Sequence, residues 1–254
     1  MRVTYIEHSG FMVELERTVL IFDYYKGVVP EYNRSKKAYI FASHRHEDHF
    51  NPYILNWQGD VEWILSDDIQ IESANKIHYV EANCRYVMDE LICETLTSTD
   101  EGVAFMVQVE GLSIYHGGDL NWWHWEGENS EIENKDAKEA FLNEMLKLSG
   151  RSFDLAFVPL DPRQNAQFSW GMLTFFKRVM VKLVFPMHMW GDYAVIDRFL
   201  SLDEAIEYRD KIVRIKHANQ IFEVVKGEHN ELYVESLILM YVIWKRAWLF
   251  TRLR

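Results

Sequence analysis

Apolar residues in the first third of the chain come in short uninterrupted runs, a strand pattern. Met1 to Glu7 and Phe11 to Glu16 read as paired strands around His8-Ser9-Gly10, and Val19 to Phe22 continues the sheet up to Asp23. Ala38-Tyr39-Ile40-Phe41-Ala42 reads as a strand buried on both faces, because β-branched, aromatic and small residues follow one another without a polar break. Asn51 and Pro52 supply an N-cap and a first-position proline for a short helix. Trp63 to Ser66 is a strand, Asp67-Asp68 would open a helix over Ile69 to Ala74, and Tyr79-Val80 is a further strand. His78 has no ligand spacing to another residue and reads as an ordinary, partly exposed histidine.

Residues 86 to 119 form a β-rich block with strands at Glu94–Thr97, Val103–Val109 and Leu112–His116, the last two joined by a Glu110-Gly111 hairpin turn. Beyond it, Ala137, Phe141, Met145 and Leu148 recur at helical spacing within an outer amphipathic helix from Asn134 to Leu148, stopped by Ser149-Gly150. Phe153 to Leu160 is a buried strand, and Ser169 could cap a helix through Met172, Phe175, Phe176 and Val179. A strand at Val181–Phe185, a helix from Tyr193 to Arg209 and a strand at Ile221–Val225 follow.

No Pro/Gly/Ser linker, low-complexity tract or repeat divides the 254 residues, so one large domain over 1–230 is expected. Residues 231–254 form an apolar extension. Its uninterrupted run from Ser236 to Trp244 is much shorter than the ~20 residues of a spanning helix. A packed helix is the expected form there, with a dimer contact in a homo-oligomer or a peripheral membrane contact as alternatives; stable membrane insertion is not expected.

A net charge of -12 argues against nucleic acid as a partner, since phosphate-backbone affinity needs clustered Lys and Arg. It does not speak against a small-molecule substrate. Cys84 and Cys93 make no disulfide framework and read as small buried thiols. The chain opens without a charged n-region and apolar h-region, so a cytoplasmic setting is expected.

The chemistry concentrates in Ser43-His44-Arg45-His46-Glu47-Asp48-His49-Phe50, directly after the buried strand. Three imidazoles and a carboxylate within six positions, at a strand exit, suit zinc or a similar borderline cation. A solvated polar loop is the plainer alternative.

The pattern His44, His46, Asp48, His49 resembles the metal-binding signature of the metallo-β-lactamase-fold hydrolases. Three more stretches carry the resemblance in order. Glu7-His8-Ser9-Gly10-Phe11 with Thr18 to Asp23 is similar to the opening hairpin of the ascorbate-6-phosphate lactonase branch. Ile114 to Asp119 is similar to the strand bearing the bridging aspartate, and Phe185-Pro186-Met187-His188 to the strand bearing the last histidine.

The resemblance implies an α/β (α+β) fold: a four-layer αββα sandwich of two mixed sheets flanked by helices. It also implies a cofactor of one or two divalent metal ions, with zinc expected and manganese or iron as alternatives. His44 and His46 would serve the first metal, Asp48, His49 and His188 the second, and Asp119 would bridge. Asp23 and His8 would support these ligands from behind; a turn aspartate is the other reading of Asp23.

Most members of the family place a third histidine of the first metal site just before the strand that starts here at Gly102. This chain has Thr97-Ser98-Thr99-Asp100-Glu101 there, so Asp100 is the candidate to complete the site.

After Asp119 comes Leu120-Asn121-Trp122-Trp123-His124-Trp125. Trp122 and Trp123 could wall a substrate pocket and His124 could donate a proton or a further ligand; indoles closing the core is the alternative. Asp161 and Arg163 are candidates to orient substrate, with a mutual salt bridge as the other reading. His116 reads as a core histidine.

The expected activity is hydrolysis of a small ester, lactone or phosphodiester by a metal-activated water, with Asp48 orienting that water and taking its proton. The missing histidine keeps open a non-hydrolytic metal-binding, redox or degenerate binding protein.

Overall fold

Strand runs apolar at every position must bury both faces, and they do. In the computed structural model, which describes residues 1–71 and 76–235, β1 (Arg2–Glu7), β2 (Gly10–Glu14), β3 (Thr18–Phe22), β4 (Lys37–Ala42), β5 (Val61–Ser66) and β6 (Ile77–Val80) lead the chain. The β-rich block holds β7 (Arg85–Met88), β8 (Leu91–Thr97), β9 (Val103–Val109) and β10 (Leu112–His116). α1 (Glu131–Lys147), β11 (Ser152–Pro159), α2 (Trp170–Arg178), β12 (Met180–Met187), α3 (Ala194–Ser201), β13 (Gln220–Lys226) and β14 (Leu232–Val234) follow.

These strands form two mixed sheets. The first has the order β14-β13-β1-β2-β3-β4-β5-β6, parallel from β3 to β6 and antiparallel elsewhere. The second has the order β12-β11-β10-β9-β8-β7, parallel only across β10, β11 and β12.

Alternation along β3 and β4 shows how the faces divide. Leu20, Phe22, Tyr39 and Phe41 enter the core between the sheets, where Phe22 stacks on Phe41 and on the His116 ring. Val19, Ile21, Ile40 and Ala42 enter a second core on the outer face, covered by Tyr24, Tyr32, Ile54 and Ile69. On the far side of the second sheet, Tyr115 stacks on Phe175 of α2, and Phe141 and Met145 bring in α1. Two mixed sheets with helices outside them match the expected architecture.

Several elements differ from their expected form. α1 starts earlier, where Ser130 and Glu133 close a capping box. Ser169 sits at the N-cap of α2 but makes no side-chain cap bond. The helix expected over Tyr193 to Arg209 is broken at Leu202, whose extended backbone separates α3 from a 3-10 segment, Asp203–Lys211. Asp67-Asp68 forms a turn, Ile69 to Ile71 are not helical, and 72–75 lie outside the described residues. β14 pairs with β13, so a boundary after residue 230 falls inside a sheet; the rest of the apolar extension, 236–254, lies outside the described residues. Among the described residues no helix is long and apolar enough to cross a membrane.

Candidate metal centre

The ends of β3, β4, β10, β11 and β12 meet at one edge of the sandwich, and each delivers an acid or an imidazole there. The loop after β4 is pinned first. Asp23, fully buried, accepts hydrogen bonds from Ser43 N (2.8 Å) and Ser43 Oγ (2.7 Å), and its Oδ2 lies 2.7 Å from His49 Nδ1. Two glycines then let neighbouring strands close on Ser43. A Cβ on Gly102 (φ +69°) would sit 2.0 Å from Ser43 O, and one on Gly118 (φ +50°) 2.7 Å from Ser43 Cβ. Both need the left-handed backbone as well as the space.

Two groups of potential ligands result. His44, His46, Asp100 and Asp119 form one; His8, Asp48, His49 and His188 form the other. Asp119 lies between them. Its Oδ1 is 3.1 Å from His49 Nε2 and 3.3 Å from His188 Nε2, while its Oδ2 is 3.6 Å from His44 Nε2. Asp100 Oδ2 lies 3.6 Å from His46 Nδ1, where an imidazole was missed in the sequence. His8, in the β1–β2 turn with φ 55°, points Nε2 to within 3.3 Å of Asp48 Oδ2. It therefore belongs to the second group itself rather than standing behind it.

Whether the residues suit a cation can be judged from unmet polar atoms. His8 Nε2, His44 Nε2, His49 Nε2 and Asp119 Oδ1 are all buried without a properly formed hydrogen bond. Leaving such atoms unpaired costs about 1–3 kcal/mol each, and they converge on one place. Imidazole nitrogens and carboxylate oxygens turned inward in this way fit divalent metal ions.

Electrostatics agree. Burial pushes the Asp119 carboxyl up, yet the His49 and His188 rings outweigh it and hold the group well below its usual range. Burial depresses His49, but the Asp119 and Asp23 carboxylates raise it well above an ordinary histidine. His44 and His8 are both lowered to about 4, chiefly by burial, and so are neutral imidazoles at neutral pH. Asp48 falls below its usual range, because the adjacent His8 and His49 rings outweigh the effect of burial. Asp100 is raised, by burial and then by the Asp119 charge.

Asp161 and Arg163 take the salt-bridge form. Asp161 is fully buried and Arg163 Nε lies 3.0 Å from both of its oxygens. Asp161 Oδ2 also lies 2.9 Å from His188 Nδ1. The acid thus faces an imidazole of the metal centre and not the pocket. Arg163 reaches the pocket mouth, its guanidinium 4.5 Å from the Trp190 ring centre and 5.4 Å from that of Trp125.

A cavity of about 480 Å³ opens over the ligand groups, bounded by Asp48, Asp100, Trp123, Trp125, Arg163 and Trp190. Trp122 and His124 do not line it; they line a separate cavity beside α1 and α2. Trp190 was not anticipated, although an indole two positions after a candidate ligand was a usable signal. It is 47% exposed, with φ 53°, and its ring lies 4.4 Å from that of His8.

Comparison with known proteins agrees with this geometry. A profile described as Beta-lactamase superfamily domain matches residues 2–137, more than half of the chain. A UPF0173 metal-dependent hydrolase of Opitutus terrae is 43% identical over 142 residues, 47% of this chain and 63% of that protein. The chain thus spans less than two thirds of that relative's length. A solved protein of Parabacteroides distasonis superposes with a TM-score of 0.57 at 16% identity, covering 84% of this chain and 92% of its own. A metallo hydrolase of Ignicoccus hospitalis superposes with a TM-score of 0.55 at 16% identity, covering 87% and 98%. At such identities these two show the fold alone. On the profile match, over a metallo-β-lactamase-like sandwich, the chain belongs to the beta-lactamase superfamily domain family.

Proposed function

We propose that this protein is a metal-dependent hydrolase acting on a small ester, lactone or phosphodiester. The observation that carries the reading is Asp119 set between two imidazole-carboxylate groups, with one oxygen toward His49 and His188 and the other toward His44. His44, His46, Asp100 and Asp119 would hold one divalent ion, and His8, Asp48, His49 and His188, with Asp119 shared, the other. When bound, such ions acidify a water from a pKa of ~16 toward ~7 and draw charge from the oxygen of the scissile group.

The chain's own residues supply the rest. Asp48, ionised and partly open to the pocket, orients the attacking water and accepts its proton. Asp23 and Asp161 hold His49 and His188 at Nδ1, which leaves Nε2 of each directed at Asp119. Arg163, pinned between its partner acid and two indoles, presents a fixed cation to the mouth for an anionic part of the substrate. A cavity of about 480 Å³ is of small-molecule size. The hairpin likeness to ascorbate-6-phosphate lactonase keeps a lactone among the candidates. Zinc suits the imidazole-rich second group. Two free cysteines suit a reducing compartment.

Metal analysis together with assays on bis(p-nitrophenyl) phosphate, p-nitrophenyl acetate and a simple lactone tests the reading. About two ions per chain are expected, with hydrolysis of at least one substrate and a loss of ~10²–10⁴-fold in Asp48→Asn. A metal-loaded protein that hydrolyses none of them would sink it. One observation favours a second reading: Asp100 makes the first group oxygen-rich, which suits iron or manganese and hence a redox protein. Iron at full occupancy without hydrolysis would support that alternative.

A further inference from the structure

The four residues after Asn121 divide between two cavities. The segment lies outside helix and sheet, Trp123 N donates to Asn121 O (3.0 Å) in a tight turn, and the side chains that follow go to two different cavities. Trp123 and Trp125, stacked with ring centres 5.8 Å apart, wall the metal pocket. Trp122 and His124 turn the other way and face α1 and α2 across a cavity of about 730 Å³, larger than the metal pocket.

That second cavity has an aromatic floor. Trp170 lies 5.0 Å from Trp122 and 5.1 Å from His124, ring centre to ring centre, tilted against both. Lysines line its rim: Lys135 and Lys138 from α1 and Lys177 from α2. Lys135 lies 3.7 Å from Glu139, whereas Lys138 and Lys177 have no ion-pair partner among the described residues. Lys138 Nζ sits 5.4 Å from the Trp122 ring centre. Of the two acids at the rim, Glu126 accepts a hydrogen bond from Gln167, and Glu131 is exposed in the first turn of α1. In a chain with a net charge of -12, a cavity edged by three lysines and two glutamates carries more cations than anions.

We propose that this cavity binds a small ring-bearing anion, its ring against Trp122 and Trp170 and its charged group at Lys138 and Lys177. Indole faces favour planar rings, and ammonium groups at the rim select a negative substituent over a neutral one. The site is separate from the metals and does not depend on hydrolysis. Its occupant rests against the back of the segment that walls the metal pocket.

The probe is naphthalene-1-sulfonate, which has a ring and an anion but no bond for the hydrolase to cleave. Titrated into the metal-loaded full-length protein and followed by tryptophan fluorescence and calorimetry, it is expected to bind saturably. Neutral naphthalene-1-methanol and inorganic sulfate should each bind at least about tenfold more weakly. Lys177→Glu, an exposed change that leaves the core intact, should weaken the probe about tenfold or more, and Trp170→Leu should do likewise. Asp48→Asn should abolish hydrolysis and leave probe binding unchanged, so the two readings fail separately. Absence of saturable binding, equal binding of the neutral ring, or loss of binding in His188→Ala with full binding in Lys177→Glu would each overturn the proposal.

Discussion

His188 Nδ1 and Asp161 Oδ2, 27 positions apart in sequence, lie 2.9 Å from one another, both side chains buried. Each residue ends a parallel strand of the second sheet, and the pair of strands brings them together. The acid holds the ring so that Nε2 faces Asp119.

Replacing that acid therefore tests orientation apart from ligation. Asp161→Asn keeps shape and volume but removes the charge that holds the imidazole. It should lower metal affinity about 10–100-fold, as such supporting carboxylates typically do. Competition with a graded chelator reads this directly. Arg163→Ala, which leaves Asp161 in place, should change it much less.

Asp100 should decide how many ions bind. Asp100→Ala is expected to drop elemental content from about two ions per chain to about one, and Asp100→His should restore it with a shift of preference toward zinc. Unchanged occupancy in the alanine variant would remove Asp100 from the ligand set.

Gly102 carries both a left-handed backbone and a contact no Cβ can meet, 2.0 Å from Ser43 O. Gly102→Ala should destabilise the fold by about 1–3 kcal/mol through the backbone alone, and more through displacement of the Ser43 loop. Urea unfolding midpoints measure the first effect and metal content the second.

Away from the metals, Glu62 offers a pH test. Burial raises its carboxyl, but Lys37 and His78 outweigh this and bring it below the ordinary value of 4.5. A depressed carboxyl contributes stability above its unfolded pKa and loses it as pH falls through the folded one. Glu62→Gln should therefore reduce stability near neutral pH and flatten its decline between about pH 5 and pH 3, with the wild type and variant converging in acid.

The two cysteines should differ in reactivity. Cys93 is buried in the core between the sheets, which pushes its thiol well up, whereas Cys84 is only half-buried. Iodoacetamide on the native protein should alkylate Cys84 and spare Cys93, with both labelled in urea. Equal labelling of both in the native state would contradict the placement of β8.

Much of this was legible before any coordinates because the informative residues are local. Ala38 to Ala42 and the loop behind it contain both the strand and four potential ligands in one stretch, and His188 follows its strand directly. The less legible features depend on contacts between distant segments. That His8 faces Asp48 depends on a turn with φ 55° and on β12, whose His188 N donates to His8 O. That Asp161 serves His188 depends on the pairing of β11 with β12. The break at Leu202 has no glycine or proline to announce it, so a continuous helix was the natural reading. Which cavity Trp122 and His124 face was illegible for a related reason: composition identified an aromatic wall, but only the fold could say which way each ring turned.

That division makes the stretch from Trp122 to Trp125 a partition with a different veneer on each side. A change in its length would re-seat the walls of both chambers at once, so the specificities of the two are linked through one short piece of backbone.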